Sequence, residues 1–307
     1  MITFPRIFRP AVTVTLAGQP IASLGLPLVP SPRVSFRVVR TMTSSPDSAS
    51  VAIYGLDLPR RMAMQTIWTE LGRAELLIFS GYSGVTLKLF LGDVRSLSSR
   101  LDGQDFVTHA TADDGGDAIT DAAIPVGFTS SAGVDAATMI TIALSCLNSP
   151  AAYVPPAGPP LIPIVPHPSV AAAIATMSPA ALTLFYTSVR VGKARDLLDE
   201  AARIIGARWF IRDSQLHMAK RKLPTDGLAI VLPRTHWLSE PSEDAGGTVK
   251  VATFLDPNLL PGRQCVLVGR VAPGVPEPYR IEAGEYTGDT HGGSPFRADL
   301  VLRRIIP

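Results

Sequence analysis

The residues that could do chemistry are few, and the clearest group is a polar turn near the carboxyl end. Asp289, Thr290 and His291 lie between glycines, and His236 is a further candidate ligand. Carboxylate and imidazole groups on an open zinc site would give a β-rich, metal-dependent hydrolase. The H-x-x-H and H-E-x-x-H spacings are absent, and Asp and Thr bond to their own backbone in tight turns. We therefore predict a structural turn here, and no catalytic, metal-binding or cofactor-binding residue.

A second acidic group, Asp113, Asp114 and Asp117, surrounds two glycines and raises the question of calcium. A calcium loop needs ligands at alternate positions and a bidentate carboxylate further on. The next carboxylate, Asp121, breaks that spacing. We predict a turn at the junction of two domains.

Other signals of chemistry are incomplete. The segment Gly81-Tyr82-Ser83-Gly84 lacks the G-x-S-x-G spacing of a nucleophile elbow, and no Gly-Lys-Ser/Thr loop could cradle a phosphate. Residues Arg190 to Lys222 carry nine Lys or Arg against four Asp or Glu. Only Trp209 and Phe210 are interleaved with them, too few aromatics for a surface that stacks bases. This stretch is interpreted as a solvated helix face with a basic turn.

Composition favours an assembly protein. With 307 residues, two or three domains are expected. Hydrophobic residues make up 46% and charged residues only 18%, so we expect apolar surface covered by subunit contacts. A net charge of +2 predicts no attraction to polyanions. Cys146 and Cys265 are predicted to be buried free thiols. The segment Met1 to Pro10 lacks the apolar core of a signal peptide, so folding in a cytoplasm is expected.

The two ends of the chain are predicted to be β-rich. Alternating apolar and polar residues indicate strands at Ala11 to Leu16, Arg33 to Val39 and Ser50 to Tyr54. Asp57 is a helix N-cap ahead of Pro59. Similar patterns predict further strands at Arg73 to Phe79, Leu87 to Leu91, Val94 to Leu101, Asp105 to Ala112 and Cys265 to Val268, from Tyr279 onward, and at Arg297 to Arg304.

The middle of the chain is different. From Ala136 to Val189, fifty-four residues carry no Asp, Glu, Lys or Arg, and nine prolines exclude a membrane-spanning helix. We predict a helix within Val134 to Leu147 and a packed insertion or a contact with a neighbouring chain beyond it. Lys193 to Ile205 has one apolar stripe and predicts an amphipathic helix that ends at Gly206. A hairpin around Arg212-Asp213-Ser214 is expected to follow it.

Several phrases, taken in order, resemble the baseplate or tail hub proteins of tailed bacteriophages. They are Val51-Ala52-Ile53-Tyr54-Gly55-Leu56, Ala74-Glu75-Leu76, Ser80-Gly81-Tyr82, Leu89-Phe90-Leu91-Gly92-Asp93-Val94, Ala110-Thr111-Ala112-Asp113-Asp114-Gly115, Asp256-Pro257, Leu260-Pro261-Gly262, Tyr279-Arg280-Ile281 and Gly288-Asp289-Thr290-His291-Gly292. The resemblance covers most of the chain and excludes Ala136 to Val189.

The resemblance implies a mainly β chain with a smaller α+β middle region. Two tail-tube-like β-barrels, at residues 1–112 and 228–307, would flank a helix-containing domain at 113–227 with its proline-rich insertion at about 136–189. Three chains would form a ring that adapts a six-fold tail tube to a three-fold spike. The implied partners are two further copies, a tail tube or distal tail protein, and a central spike or fibre protein. Tape-measure protein and DNA would pass through the lumen of the virion tail without sequence-specific binding.

Three alternatives stay open. The first is the hub of a phage-derived injection or secretion machine, which the order of neighbouring genes would distinguish. The second is the hydrolase built on His236, Asp289 and His291. The third is a carbohydrate-binding tail module, which would need exposed aromatics, and aromatics form only 7% of the chain.

Overall fold

A computed structural model describes most of the chain as one mainly β protein with a smaller helical part. It describes residues 10–16, 19–23, 32–71, 74–82, 85–124, 130–153, 162–176, 183–186, 192–220, 223–225, 229–244, 246–271, 274–291 and 296–305. The predicted fold class, mainly β with a smaller α+β middle region, is confirmed.

The strands in chain order are β1 Pro10–Leu16, β2 Gln19–Ser23, β3 Val34–Thr41, β4 Ser48–Tyr54, β5 Glu75–Tyr82, β6 Val85–Asp102, β7 Asp105–Asp113, β8 Ser130–Asp135, β9 Val165–Pro166, β10 Thr183–Tyr186, β11 Ala207–Arg212, β12 Gln215–Lys220, β13 Ala229–Pro233, β14 Ser242–Glu243, β15 Thr248–Phe254, β16 Gln264–Val268, β17 Pro276–Asp289 and β18 Arg297–Arg304. The α-helices are α1 Leu58–Leu71, α2 Gly116–Asp121, α3 Ala136–Asn148, α4 Pro168–Ala175 and α5 Ala194–Ile205. Short 3-10 helices occupy Pro150–Ala152 and Arg234–His236.

One thirteen-stranded sheet joins strands from both ends of the chain. Its order is β14-β15-β18-β17-β3-β4-β7-β6-β5-β1-β2, and β13 joins it through β16, which pairs with β17. We call β1 to β7 the first β-unit and β13 to β18 the second β-unit. Antiparallel pairing of β17 with β3 joins the two units into one sheet.

The described residues form two large hydrophobic cores. The first lies inside the sheet and takes side chains from both β-units, such as Val38 and Val51 on one side and Leu300 and Tyr286 on the other. The second belongs to residues 116–220, which we call the middle unit. Leu198 of α5 is fully buried in that second core.

The middle unit packs α3 and α5 against a small sheet of β11, β12 and β9. The α3 helix begins at Asp135, whose carboxylate accepts a hydrogen bond from the Thr138 N–H at 2.6 Å. As predicted, α5 ends at Gly206, which has a φ of 69° that suits glycine. The uncharged segment contributes Ile164 and Ala173 to the core, so its described part is packed.

The two β-units share the order and direction of five of their strands. In the first, neighbouring strands run β3-β4-β7-β6-β5-β1, and in the second they run β14-β15-β18-β17-β16-β13. Every pair in both runs is antiparallel except β13 with β16, which is parallel where β1 with β5 is antiparallel. Each unit has one long strand, β6 or β17. The first half of this strand pairs with a short strand, β5 or β16, and the strand then forms a hairpin with β7 or β18.

The hydrogen-bond registers repeat as well. Val94 N–H donates to Ala74 O at 2.8 Å, just before β5, and Ile281 N–H donates to Arg263 O at 3.0 Å, just before β16. Each long strand has a β-bulge one residue later, between Val94 and Ser96 in β6 and between Ile281 and Ala283 in β17. A bulge bends a strand and increases its twist. Each long strand therefore turns at the same point of the repeat.

The sequence carries a trace of this repeat. Counting along the paired strands shows that Ser50 of β4 and Lys250 of β15 hold equivalent positions of the repeat. The residues that follow them are Val51-Ala52-Ile53-Tyr54 and Val251-Ala252-Thr253-Phe254. Both segments lead to a buried leucine followed by an aspartate, at Leu56 and at Leu255.

Several predicted elements need correction. Leu87 to Leu91 and Val94 to Leu101 are one continuous strand, β6, because the bulge bends the strand without ending it. The helices α2 and α4 and the strands β8 and β10 were not predicted. Residues 154–161, 177–182 and 187–189 of the proline-rich insertion lie outside the described residues. The boundaries of the three domains stay a prediction.

Candidate functional site: a buried charge cluster and open sheet edges

In the polar turn near the carboxyl end, the side chains of Asp289 and Thr290 form hydrogen bonds with an arginine and with backbone N–H groups. The Asp289 carboxylate accepts hydrogen bonds from the Arg33 guanidinium at 2.7 Å and from the His291 N–H at 2.9 Å. Thr290 Oγ1 accepts from the Val34 N–H at 2.9 Å, which fastens the turn to the start of β3. His236 is exposed, in a short 3-10 helix. Within the described ranges, no three His, Cys, Asp or Glu side chains are grouped as metal ligands would be.

The second acidic group is divided between two tasks. Asp113 forms an ion pair with Arg95, 3.3 Å apart, at the end of β7. Asp114 is fully buried and accepts hydrogen bonds from the Asp213 and Ser214 N–H groups of the β11–β12 turn, the latter at 3.2 Å. In the predicted junction turn, the Asp114 carboxylate therefore fixes the β11–β12 hairpin of the middle unit to the end of β7.

The remaining predicted segments serve the fold. Gly81 and Tyr82 end β5, while Ser83 and Gly84 lie outside the described residues. In the basic stretch, Arg203 lies on the exposed face of α5 as predicted. Arg212, which lies in the hairpin after that helix, is buried. Both cysteines are buried and unpaired, as predicted.

A buried charge cluster lies between the sheet and the middle unit. Arg40 of β3 is fully buried and donates to Asp213 Oδ1 at 2.9 Å. Its Nε lies 4.0 Å from Asp47 Oδ2, and Lys88 Nζ lies 3.7 Å from Asp213 Oδ2. Because Asp213 belongs to the β11–β12 turn, these contacts join the middle unit to the first β-unit through charge.

Burial dominates the proton affinities in this cluster. It raises the pKa of Asp114 to about 7 and that of Asp47 to about 6, against partial compensation from Arg40. Burial lowers the pKa of Arg212 from its usual value. Removing a charge from water is costly unless it is paired, so each of these groups depends on its neighbours.

Next to the cluster, three rings stack. His217 lies with its ring centroid 4.0 Å from that of His167 and 5.0 Å from that of Phe210. Burial, followed by the nearby charge of Arg212, lowers the pKa of His217 to about 2. The imidazole is therefore neutral at any ordinary pH, which suits a structural ring.

Sequence reasoning missed Arg40 and Arg212, although the strand pattern carries a signal for Arg40. Val34, Phe36 and Val38 alternate inward along β3, and the same period places Arg40 inside the sheet. Nothing comparable marks Arg212, which follows three consecutive buried residues of β11.

The face of the sheet opposite the first core carries a shallow depression. It lies where β17, β3, β4 and β7 meet, and it is lined by hydroxyl side chains such as Thr111 and Thr287 together with apolar residues such as Val51 and Ala52. The charged residues nearby are paired across the strands, with Arg37 Nε 2.7 Å from Glu285 Oε1. Such a face offers few fixed charges to a polyanion.

Several strand edges of the sheet have no strand beside them among the described residues. The outer edges of β2 and β13 are two of them, and two more correspond to the strands of the β17–β3 contact. The first is the outer edge of β6 beyond its bulge, residues 96–102, whose other edge pairs with β7. The second is the outer edge of residues 237–244, the segment that contains β14 and runs beside β15. Open edges are templates for pairing with another chain.

Comparison with known proteins identifies the fold. No family model and no curated protein matches the chain. The 43 kDa tail protein of prophage MuSo2 from Shewanella oneidensis is 8% identical with a TM-score of 0.58, and the match covers 96% of this chain and 98% of that one. A tail protein from Neisseria meningitidis MC58 is 9% identical with a TM-score of 0.59, and the match covers 97% of each chain.

A third structure is the E. coli c3393 protein, described as a component of the type VI secretion system with structural similarity to the T4 phage tail proteins gp27 and gp5. It is 11% identical with a TM-score of 0.52, over 95% of this chain and 76% of that one. The chain has the fold of these tail proteins, and the resemblance predicted from its sequence is confirmed at that level. No helix among the described residues is long and apolar enough to cross a membrane.

Proposed function

We propose that this chain is the structural hub of a phage tail baseplate or tail tip, and that it works as a ring of three copies. The observation that carries the proposal is the internal repeat of topology and register. Two equivalent β-units in one chain let three copies present six equivalent units, which matches a six-fold tail tube while keeping a three-fold face for a spike or fibre.

The sheet face supports a passage through the ring. A depression of small hydroxyl and apolar residues, beside the paired charges of Arg37 and Glu285, neither attracts nor strongly repels a phosphate backbone, since the electrostatic attraction depends on unpaired cations. We propose that this face lines a lumen in the virion tail for DNA and tape-measure protein. The role is structural, without catalysis, and the partners above and below are a tail tube or distal tail protein and a central spike.

A direct test is the mass and symmetry of the purified chain. Native mass spectrometry should give three times the chain mass, and cryo-electron microscopy should show a ring with three-fold symmetry, six similar β-units and an open centre. A monomer at every concentration, and in the assembled particle, would exclude the hub.

The hub of a secretion apparatus is the second candidate, favoured by the similarity to the c3393 protein. Capsid and terminase genes beside this gene would favour a phage, and their absence with secretion genes in place would favour the second candidate. Elemental analysis of the purified chain tests the hydrolase, which requires bound metal and a loss of activity in His291→Ala.

A further inference from the structure

The contact between the two β-units within one chain is a template for a contact between chains. Past its bulge, β17 pairs with β3 from Ala283 with Thr41 to Asp289 with Ser35. The equivalent part of β6, residues 96–102, has no strand on that edge among the described residues. The segment 237–244, which is the equivalent of β3, likewise has no strand on its outer edge among the described residues.

We propose that the open edge of β6 pairs with the 237–244 edge of the next copy of this chain, in the register of β17 with β3. This inference rests on the ring proposed above and names the two surfaces that close it. The occupant of each edge is a second copy, because the intramolecular β17–β3 contact already shows two equivalent edges pairing.

The register follows from the repeat. Equivalent pairings place Ser96 of β6 at the position of Ala283, and Arg100 at that of Thr287. On the other edge, Ser242 pairs with Lys250 as Arg37 pairs with Ser50. Since Arg37 lies opposite Thr287, Arg100 of one copy is expected opposite Ser242 of the next.

The directions of the backbone groups agree with this register. Asp244 N–H donates to Thr248 O at 2.9 Å, so Asp244 and Ser242 turn their backbone groups toward β15, and Glu243 between them turns outward. On β6, the register with β7 turns Ser99 outward and Arg100 toward β7. Ser99 and Glu243 would therefore exchange hydrogen bonds, while Arg100 and Ser242 form a non-hydrogen-bonded pair.

The side chains on the two edges are also complementary. Leu101 is 60% exposed, although its equivalent on β17, Gly288, is buried against Phe36 of β3. The register places the half-buried Pro241 of the next copy opposite Leu101. Arg100 has no ion pair among the described residues, and the register places it diagonal to Asp244 of the next copy, a separation that a long side chain can span.

Cysteine cross-linking between two differently labelled chains tests the register. In a non-hydrogen-bonded antiparallel pair the Cα atoms are about 4.5 Å apart, within the range that a disulfide spans. Chains with Arg100→Cys and chains with Ser242→Cys, mixed and oxidised, should form a disulfide-linked dimer on non-reducing gels. Neither chain alone should do so, because the native cysteines are buried. Arg100→Cys mixed with Thr141→Cys, which is exposed on α3, is the matched control and should stay unlinked.

A second variant tests the backbone contact. Ser99→Pro removes an N–H that faces away from β7, so the fold should survive while the chain no longer assembles. Native mass spectrometry separates the two proposals. A trimer that gives no Arg100–Ser242 cross-link, or that forms equally well with Ser99→Pro, overturns the edge pairing and leaves the hub intact. A chain that never forms a trimer overturns the hub, and the pairing with it.

Discussion

At the scale of single residues, the charges buried between sheet and middle unit are more important than any group on the surface. Arg40 has its whole side chain inside the protein, and its partners come from two distant parts of the chain, Asp47 and Asp213. A buried ion pair stabilises a fold little more than apolar residues in the same place would. Removal of one partner, however, leaves the other charge buried and unpaired, which is strongly destabilising. The cluster therefore fixes where the middle unit attaches.

Arg40→Met is expected to lower the free energy of unfolding by about 3–5 kcal/mol, because it strands buried carboxylates. The matched control is Arg37→Met on the same strand, where the arginine is 59% exposed and its ion pair with Glu285 lies in water. That change should cost less than about 1 kcal/mol. Urea denaturation of both variants measures the difference, and equal losses would show that burial of the cluster has no consequence.

His217 predicts a pH dependence. Its pKa is about 2 in the folded protein and about 6.5 in the unfolded chain, so only the unfolded chain takes up a proton between those values. Its contribution to stability is complete above pH 6.5 and is lost as the pH falls. Asp47 and Asp114 act in the opposite direction, since their raised pKa values favour the folded state at low pH.

His217→Phe keeps the stacked ring and removes the titrating group. Relative to the parent in the same buffers, the variant should gain about 2 kcal/mol on going from pH 7.5 to pH 5. Urea unfolding at the two pH values measures this difference, in which the carboxylate contributions cancel. A difference that does not change with pH would mean that the pKa of His217 is the same in the folded protein as in the unfolded chain.

At the scale of elements, the long strands organise the molecule, and they were the hardest elements to predict. Alternation located β3 and β4 well because one face of each is apolar. It divided β6 at Gly92-Asp93, where residue types typical of a turn lie inside a strand. The local sequence cannot show that Gly92 is needed because another backbone segment lies against it. The order β17-β3, which joins the two ends of the chain, also has no local signal.

Gly92→Ala tests that close approach. A Cβ atom at this position would lie 2.7 Å from the Asp113 carbonyl oxygen, which is backbone and cannot turn away. We expect a loss of about 1–3 kcal/mol, typical of overpacking. Ser96→Ala, an exposed position on the same strand, is the control and should lose less than about 1 kcal/mol. Thermal unfolding measures both, and an unaffected Gly92→Ala would show that β6 shifts freely at its bulge.

At the scale of the whole molecule, the repeat explains why so little of the chain looks like an active site. The residues that sequence reasoning considered for chemistry fasten turns: Asp289 holds the end of β17, and Asp114 holds the hairpin of the middle unit. The repeat itself was within reach of the sequence, since Val51-Ala52 and Val251-Ala252 are 200 residues apart in matching strands. Two short matches in a long chain carry little weight until strand pairings align them.

The two cores of one chain predict two cooperative units in hydrogen exchange. Leu198 is buried in the middle unit and Leu300 in the sheet, and each contacts only its own core. Substitution by alanine costs about 2–5 kcal/mol at such sites. Leu198→Ala should speed exchange in 136–148 and 194–220 and leave 248–254 and 297–304 protected, because proteins open in contiguous units. Leu300→Ala should do the reverse, and mass spectrometry of peptic fragments resolves the segments. Faster exchange in all four segments from either variant would show that the charge cluster couples the two cores into one cooperative unit.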